Sequence, residues 1–319
     1  MQQKLLKIKE SRWTSRLMSP LTLLVLILAL HAATGGRFGS ARNLKLVLDQ
    51  ALIVGTVATG ASFIYSTGNV NISMGSATAL VATIAAYAYL ATESVAIMFA
   101  VALIAGVIIL VISALLSAWL NLRVIYVTVV MMTLLQSIQK SLLGSATLQM
   151  PYEMTSALKN AYVPYIIFIA FFIFCTILFH YTALGRKLRY IGINNQCAEL
   201  TGFSKNKHLI IAFAISGIGV ALGAVMTIIR AGSIGTDTCS TLNMDCMLAI
   251  VLGGMSCFGG SRSNTYAAIV GAVIVTVLNN GLLMIGVSST IIQAVRGIVF
   301  IVLVVASQTR PQGLPAREA

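Results

Sequence analysis

Two ionisable side chains lie within apolar segments of the chain, where a charge is costly. Asp245 and Arg296 each fall a little inside a stretch that is otherwise apolar enough to cross a bilayer. Ionisable groups at such positions bind ions or substrates, relay protons, or pair with one another. Both stretches are expected to enter the membrane from the same side, which would place the two charges at similar depth. A structural ion pair is therefore favoured over an ion-coupling site.

The chain lacks the motifs of nucleotide, zinc and acyl-transfer chemistry. It contains no G-x-x-x-x-G-K-[ST] loop, no H-E-x-x-H and no G-x-S-x-G. Its cysteines form no C-x-x-C pair and have no histidine at metal-ligand spacing. Cys239 and Cys246 flank a predicted extracytoplasmic loop and could form a disulfide, which the sequence leaves open. We expect no catalytic residue, no metal site and no cofactor in this chain.

The elements that must position these residues are transmembrane helices. Of 319 residues, 58% are hydrophobic and 9% are charged, whereas soluble domains carry roughly a quarter charged residues. Apolar segments near the length needed to cross a bilayer lie at 17–33, 46–67, 74–92, 95–119, 124–143, 161–182, 208–230, 244–258, 264–285 and 288–306. The sequence predicts an all-α integral membrane protein of about ten helices, with a single transmembrane domain over residues 1–319.

The distribution of positive charge predicts the orientation of the chain. Its net charge of +13 comes from 21 Lys and Arg against 8 Asp and Glu. These positive residues cluster in short segments between apolar runs, as the positive-inside rule describes, and this pattern argues against a nucleic-acid partner. We therefore expect a multi-pass membrane protein, and the family resemblance described below implies the bacterial inner membrane. Its basic amino-terminal segment, 1–16, and its tail, 307–319, are both predicted to be cytoplasmic.

Two glycine-rich segments interrupt the apolar pattern. Residues 68–75 contain Asn69, Asn71 and Ser73, and residues 253–262 form the second segment. Glycine-interrupted segments at corresponding places in two halves indicate broken helices near a substrate path, within a weak inverted internal repeat. Tight cytoplasmic turns would give the same pattern, and the sequence does not separate these two interpretations.

The longest polar stretch between apolar segments, 183–207, contains a short predicted helix. Asn195 is placed to cap its start, and Gly202 is placed to end it in a left-handed conformation. A short capped helix among basic residues on the cytoplasmic side is suited to docking on a partner. An interfacial helix resting on anionic lipid is the alternative interpretation.

Four motifs, in this order, resemble those of the ribose-type sugar permeases of bacterial ABC importers. The family signature G-G-[IV]-D-L-S-V-G resembles residues 68–75, and the loop G-R-x-x-x-A-I-G-x-N-x-x-A-A-x-x-[ST]-G-[IF] resembles residues 185–203. The motif L-G-G-x-x-x-x-G-G resembles residues 252–260, and N-G-L-x-x-x-G-V resembles residues 280–287. The likeness runs from about residue 40 to residue 306.

This resemblance implies the architecture of a type II ABC importer. Two permease subunits, as identical copies or paralogues, would sit on an ABC ATPase, often a fused tandem chain that binds the ATP and Mg²⁺. An extracytoplasmic binding protein would deliver the substrate, and the permease would move it by alternating access without bond chemistry. Stretch 183–207 would be the coupling loop, whose residues toward the ATPase would be Arg186, Lys187, Gly192, Asn195, Glu199 and Gly202.

The resemblance also implies a neutral polar substrate, with a monosaccharide first. The amide and hydroxyl groups that replace the water around such a solute would come from Asn69, Asn71, Ser73 and Gln136. These groups would alternatively satisfy the backbone of a broken helix, and for Asn69 this alternative is at least as well supported.

Departures from the family pattern leave other functions open. Asn71 stands where the family usually has Asp, and Asn243 stands where Glu is common, which would suit one half of a heterodimer. A nucleoside or a furanose-like signal molecule is a related substrate class. An ATP-independent secondary carrier that uses Asp245 and Arg296 is a second hypothesis, and a non-transporting membrane scaffold is a third.

Overall fold

Helices make up most of the chain in this computed structural model. It describes residues 27, 28, 30–144, 146–256, 259–261 and 263–308, with side chains as far as residue 302. The helices are α1 Ala41–Ser66, α2 Met74–Thr92, α3 Val95–Trp119, α4 Val124–Leu143, α5 Tyr152–Asn160, α6 Val163–His180, α7 Ala183–Ile193, α8 Asn195–Leu200, α9 Lys205–Ala231, α10 Leu242–Leu252, α11 Thr265–Met284 and α12 Ser289–Gln308. Two short strands, β1 Leu148–Gln149 and β2 Ser233–Ile234, pair antiparallel.

Seven of these helices are long and apolar enough to cross a membrane, namely α1, α2, α3, α4, α6, α9 and α11. Helix α10 and the start of α12 are shorter apolar helices. The predicted segments 1–16 and 17–33 lie wholly or largely outside the described residues, as does most of the tail 307–319. The prediction of an all-α membrane protein is confirmed, and the count of about ten helices fits approximately.

Helices α1 and α9 lie at the centre of the bundle, and α3 and α6 lie at its surface. In the most apolar stretch of each helix, 83% of α1 and 72% of α9 is buried, against 22% of α3 and 17% of α6. The two central helices approach closely at Gly60, where a Cβ would lie only 3.1 Å from the Cα of Ser216. Glycine permits this approach because it has no side chain. The outer face of α6 instead exposes large aliphatic side chains such as Ile166, Ile169 and Ile173, which suit contact with lipid.

The connection from α1 to α2 is a helix break that turns back into the bundle. Gly68 ends α1 with a φ of +76°. The Oδ1 of Asn71 then accepts hydrogen bonds from the backbone N–H and the hydroxyl of Ser73, both at 2.8 Å. Met74, the first residue of α2, accepts a hydrogen bond at its sulfur from Ser216, near the middle of α9. Helix α2 therefore starts inside the bundle.

A side chain from α10 caps the amino end of α2. The Oδ1 of Asn243 accepts hydrogen bonds from the backbone N–H groups of Gly75 and Ser76, at 2.5 and 3.3 Å. The first N–H groups of a helix have no partner within it, and inside a membrane the partner must be protein. A Cβ on Gly75 would lie 2.7 Å from the backbone nitrogen of Asn243, so glycine permits this close approach.

The second glycine-rich segment makes a turn between α10 and α11. Gly254, Gly259 and Gly260 all have positive φ, and the N–H of Gly260 donates a 3.3 Å hydrogen bond to the carbonyl of Ser66. The two glycine-rich segments thus meet at the end of α1. Their equivalence as halves of an inverted repeat stays a prediction. The segment also includes Cys257, Phe258 and Arg262, which lie outside the described residues.

The bundle has two distinct ends. Helices α7 and α8 follow α6 at the end where α1 stops and α9 begins, and we call this the α7–α8 end. Strands β1 and β2 and helix α5 connect the helices at the opposite end.

Replacing Asn243 with alanine should destabilise the bundle, because two N–H groups would lose their only acceptor. We expect a loss of about 1–3 kcal/mol, seen as a lower thermal unfolding midpoint in nanodiscs. Asn264 caps α11 through the N–H of Tyr266 at an exposed site, where water can substitute. Asn264→Ala is therefore the matched control and should lower the midpoint less. An equal or smaller effect of Asn243→Ala would contradict the assigned cap.

Candidate functional site

A polar cavity of about 130 Å³ opens near the end of the bundle opposite α7 and α8. Helices α2 and α4 and the segment between β2 and α10 form its walls. The lining side chains include Ser76, Gln136, Gln139, Lys140, Asp237 and Thr238. Amide and hydroxyl groups dominate this set, and it contains one cation and one carboxylate. The cavity can therefore donate hydrogen bonds to a small molecule and accept them without a net charge.

The wall made by residues 232–241 is held in place at both sides. The Nε2 of Gln139 donates a 3.2 Å hydrogen bond to the carbonyl of Gly235, which ties this segment to α4. The N–H of Gly235 in turn donates to the hydroxyl of Thr238 at 2.9 Å. Pairing of Ile234 with Leu148 fixes the start of the segment. This wall was not predicted from the sequence, because its partners lie far away along the chain.

The four residues predicted to line a substrate path lie in different surroundings. Gln136 faces the cavity. Asn71 and Ser73 are buried, and the hydroxyl of Ser73 donates a hydrogen bond to the Oδ1 of Asn71. The side-chain amide of Asn69 donates to the hydroxyl of Thr67 in the same turn. Ser76 both lines the cavity and donates to the carbonyl of Ser73, so the turn lies behind the cavity wall. A role of Asn69, Asn71 and Ser73 in the substrate path stays a prediction.

Asp245 and Arg296 form a closed, buried set with Asn279. The Nη1 of Arg296 lies 3.3 Å from the Oδ1 of Asp245, and its Nε donates to the Oδ1 of Asn279 at 2.7 Å. The Nδ2 of Asn279 donates to the Oδ1 of Asp245 at 3.1 Å. Asp245 also lies in the first turn of α10, where the helix dipole favours a carboxylate. The structural role of this pair stays a prediction.

Sequence analysis missed Asn279, although it directly precedes the N-G-L motif. An asparagine in an apolar helix is surrounded by the same kinds of residues in the sequence whether its side chain faces a charge, a backbone group or another helix. The signal that could have identified it was the presence of two buried charges that required further hydrogen-bond partners.

Asn194, and not Asn195, caps the start of α8. The Oδ1 of Asn194 accepts hydrogen bonds from the N–H groups of Gln196 and Cys197, at 2.9 and 3.2 Å. Its extended backbone, with a φ of −155°, places the side chain over the first turn. The prediction of Asn195 as the cap is wrong by one residue, because Asn195 is already helical and exposed.

The carboxyl end of α8 has the hydrogen-bond pattern of a Schellman motif. Gly202 has a φ of +83°, the left-handed conformation expected from the sequence. The N–H of Gly202 donates to the carbonyl of Glu199 at 3.0 Å, and the N–H of Phe203 donates to that of Ala198 at 3.1 Å. Helix α8 is thus a single turn and a half held rigid at both ends.

Helix α8 exposes side chains at the surface of the bundle. Leu200 is 88% exposed, and Asn195 and Glu199 are exposed beside it. Arg186 is exposed on α7, and the Nζ of Lys187 lies 5.2 Å from the centroid of the Phe203 ring. Single exposed apolar side chains are common on protein surfaces, so a role of α8 in docking stays a prediction.

Gly192 lies inside a backbone junction, away from that surface. A Cβ on Gly192 would overlap the carbonyl oxygen of Ser66 and would lie 2.7 Å from the nitrogen of Gly260. The end of α7, the end of α1 and the loop before α11 therefore meet at backbone distance, and we call this contact the Ser66 junction. Both glycine-rich segments adjoin it, so any displacement of α7 and α8 acts directly on them.

The sequence of this chain matches the profile of a known protein family. The profile of the family described as "Branched-chain amino acid transport system / permease component" matches residues 43–304. The chain belongs to this permease family. The matched residues include every element from α1 to the larger part of α12, and therefore both the cavity and the α7–α8 end.

Curated relatives match the permease over most of its length. The ribose import permease protein of Escherichia coli strain K12 is 26% identical over 307 residues, which are 93% of this chain and 95% of the relative. The galactofuranose transporter permease protein of the same strain is 28% identical over 283 residues, 86% and 81% respectively. The fructose import permease protein of Bifidobacterium longum is 26% identical over 303 residues, 91% and 83% respectively. No solved structure matches this chain.

Cys239 and Cys246 are free thiols in the permease, so the disulfide left open by the sequence is not formed. Cys246 is buried within α10. The sulfur of Cys239 instead lies 3.8 Å from the hydroxyl of Thr227 on α9, at the edge of the polar cavity. Burial there raises the pKa of the Cys239 thiol to about 11.

Removing one partner of the buried Asp245–Arg296 pair should destabilise the permease strongly. We expect Arg296→Met to lower the free energy of unfolding by about 3–5 kcal/mol, because it leaves a carboxylate buried without its counter-ion. Combining it with Asp245→Asn removes the remaining charge and should recover much of that loss. Unfolding midpoints in nanodiscs measure both variants. A double variant as unstable as Arg296→Met alone would show that unpaired charge is not the cause.

The pH dependence of alkylation should report the environment of Cys239. Only the thiolate reacts with maleimides, and a raised pKa leaves little thiolate at neutral pH. In a variant that retains only Cys239, the rate should rise about tenfold per pH unit up to about pH 10. A variant that retains only the exposed Cys197 is the control for reagent chemistry. A Cys239 rate that reaches its plateau near the ordinary cysteine pKa would contradict the buried position.

Proposed function

We propose that this permease is the membrane subunit of an ATP-driven importer for a neutral monosaccharide. The observation that carries the proposal is the combination of a polar cavity without net charge at one end of the bundle with a rigid, exposed α8 at the other. The relatives described above bear the names of ribose, galactofuranose and fructose permeases, which supports a sugar as the substrate.

The size and chemistry of the cavity support this substrate class. A volume of about 130 Å³ has room for several water molecules, and therefore for a small polar solute. Ser76, Gln136 and Gln139 offer donors and acceptors to sugar hydroxyls. Lys140 and Asp237 contribute one charge of each sign, so the lining does not select an ion. A few weak contacts of this kind allow binding without trapping.

Positive charge supports a cytoplasmic location for the α7–α8 end. Six basic residues of the described chain lie there, Arg123, Arg186, Lys187, Arg189, Lys205 and Lys207, and six lie at the opposite end, Arg37, Arg42, Lys45, Lys140, Lys159 and Arg230. The excess of positive charge on the cytoplasmic side comes from the segments 1–16 and 307–319, which are predicted to lie on that side. In this orientation both termini are cytoplasmic, and the polar cavity opens toward an extracytoplasmic substrate-binding protein. The ATPase, which holds the ATP and Mg²⁺, contacts α8 and its neighbours, and closure of the ATPase displaces α7 and α8. The Ser66 junction carries that displacement to α1 and to the start of α2.

A polar face on α4 supports pairing with a second permease subunit. Only 33% of the most apolar stretch of α4 is buried, yet its exposed or half-buried side carries Thr133, Gln136, Ser137 and Lys140. Lipid favours the aliphatic faces of α3 and α6, and a polar face suits a protein partner across a hydrated path. A second copy or a paralogue meets this requirement.

No comparable observation favours an ATP-independent secondary carrier. Among the described residues, the charged pair available for ion coupling, Asp245 and Arg296, is buried, and each member already has protein partners. A coupling site requires a position that opens to an ion during transport.

Reversing the charge of Glu199 should weaken the contact with the ATPase. Glu199→Arg alters an exposed residue of α8 without touching the core, so the unfolding midpoint should not change. We expect retention of the ATPase on the purified permease, and ATP-dependent sugar uptake in proteoliposomes, to fall about tenfold or more. Glu153→Arg reverses an exposed charge on α5 at the opposite end and should retain the ATPase.

Full retention of the ATPase by Glu199→Arg would remove α8 from the docking surface. Sugar uptake by the permease alone, without ATP, would contradict the importer itself.

A further inference from the structure

A second, smaller cavity lies where α1, α6 and α9 meet, at the end of the bundle opposite α7 and α8. Its volume of about 30 Å³ is less than a quarter of that of the polar cavity, so a sugar does not fit inside it and a larger ligand would bind at its charged mouth. Three cationic side chains border it, Lys45, Lys159 and Arg230, against one carboxylate, Asp49.

The positive charge of this cavity is not balanced within the permease. The ion pair found within the described part of the chain is the distant Asp245–Arg296 pair, so none of the three cations lies at ion-pair distance from a described carboxylate. Asp49 accepts a 2.7 Å hydrogen bond from the hydroxyl of Tyr165. Lys45, Lys159 and Arg230 are exposed residues, and the single carboxylate, whose charge interacts with Arg230, leaves the cluster with a net positive charge for an external anion.

The cavity adjoins the surface of the bundle that faces lipid. Only 17% of the most apolar stretch of α6 is buried, and Tyr162 at its start is 67% exposed, as expected for an aromatic residue at the membrane–water interface. Below the charged rim, apolar side chains such as Ile53 and Met226 line the cavity. A ligand with an anionic head and an apolar tail matches both parts.

We infer that this cavity binds the phosphate of an anionic phospholipid through Lys45, Lys159 and Arg230. Lysine and arginine side chains attract a phosphate group by charge, and arginine adds a planar pair of donors that fits phosphate oxygens. The acyl chains lie against α6. The bound lipid links α1, α5 and α9 at the end of the bundle where the polar cavity opens. Free phosphate shares the same head chemistry, and the test separates the two sources.

Delipidated permease in nanodiscs tests this site. In an equal mixture of phosphatidylcholine and phosphatidylglycerol, the unfolding midpoint should be higher than in phosphatidylcholine alone by about 3 °C or more. The Lys45→Gln/Lys159→Gln variant should lose most of this difference. Arg37→Gln/Arg42→Gln removes the same charge from exposed positions at the same end and should retain it.

Four outcomes would overturn the inference. The first is no phosphatidylglycerol response in the native permease, and the second is an equal response in both double variants. The third is a rise with inorganic phosphate in phosphatidylcholine nanodiscs that matches the lipid effect, since it would identify a site for a free anion. The fourth is a Lys45→Gln/Lys159→Gln variant that keeps its lipid response but captures a substrate-binding protein more weakly, which would make the cluster a contact for that protein.

Discussion

The amide of Asn243 satisfies the most demanding requirement of this fold, which is a hydrogen-bond acceptor for a helix that starts inside the bundle. Helix α2 starts inside the bundle, and Asn243 of α10 accepts hydrogen bonds from two of its first N–H groups, which have no partner within the helix. Two residues further along α10, Asp245 is tied to Asn279 of α11 and Arg296 of α12. The position of one helix start therefore depends on three other helices, and each of them is oriented by a polar group that must remain paired.

The same helix start connects the two ends of the permease. The turn before α2 adjoins the Ser66 junction on one side, and Ser76 lies in the polar cavity on the other. At the junction the backbones are in direct contact, because the residues at positions 192, 259 and 260 are glycines. No flexible side chain lies between them that could take up a displacement. A movement of α7 and α8 must then shift the turn, α10, or both. This geometry gives alternating access a short mechanical route from the proposed ATPase contact to the cavity.

Sequence patterns predicted the parts of this structure that are encoded locally. Helices α2, α3 and α4 begin and end as predicted, because glycine, asparagine and charged residues interrupt the apolar runs at each boundary. The left-handed conformation of Gly202 was also predicted locally, because glycine is the residue type that accepts it at a helix end. At the other end of α8, two successive asparagines have equal capping chemistry, and only the extended backbone of Asn194 decides between them.

The features that the sequence did not predict depend on distant partners. Asn243 attracted attention only as a departure from a family pattern, and its acceptor role requires Gly75 at close approach. The cavity wall at residues 232–241 is formed by contacts with α4 and β1, which no local pattern reveals. Gly192 was assigned to the docking surface from its position in the loop, whereas its packing against Ser66 follows from how α7 folds back on α1.

The most direct test of the account is mass spectrometry of the proteins that co-purify with this permease from its own host in mild detergent. The account predicts a stoichiometric ATPase with nucleotide-binding motifs, together with a second permease chain or a second copy of this one. An intact, monodisperse permease that purifies without an ATPase, and that still transports sugar after reconstitution alone, would contradict it.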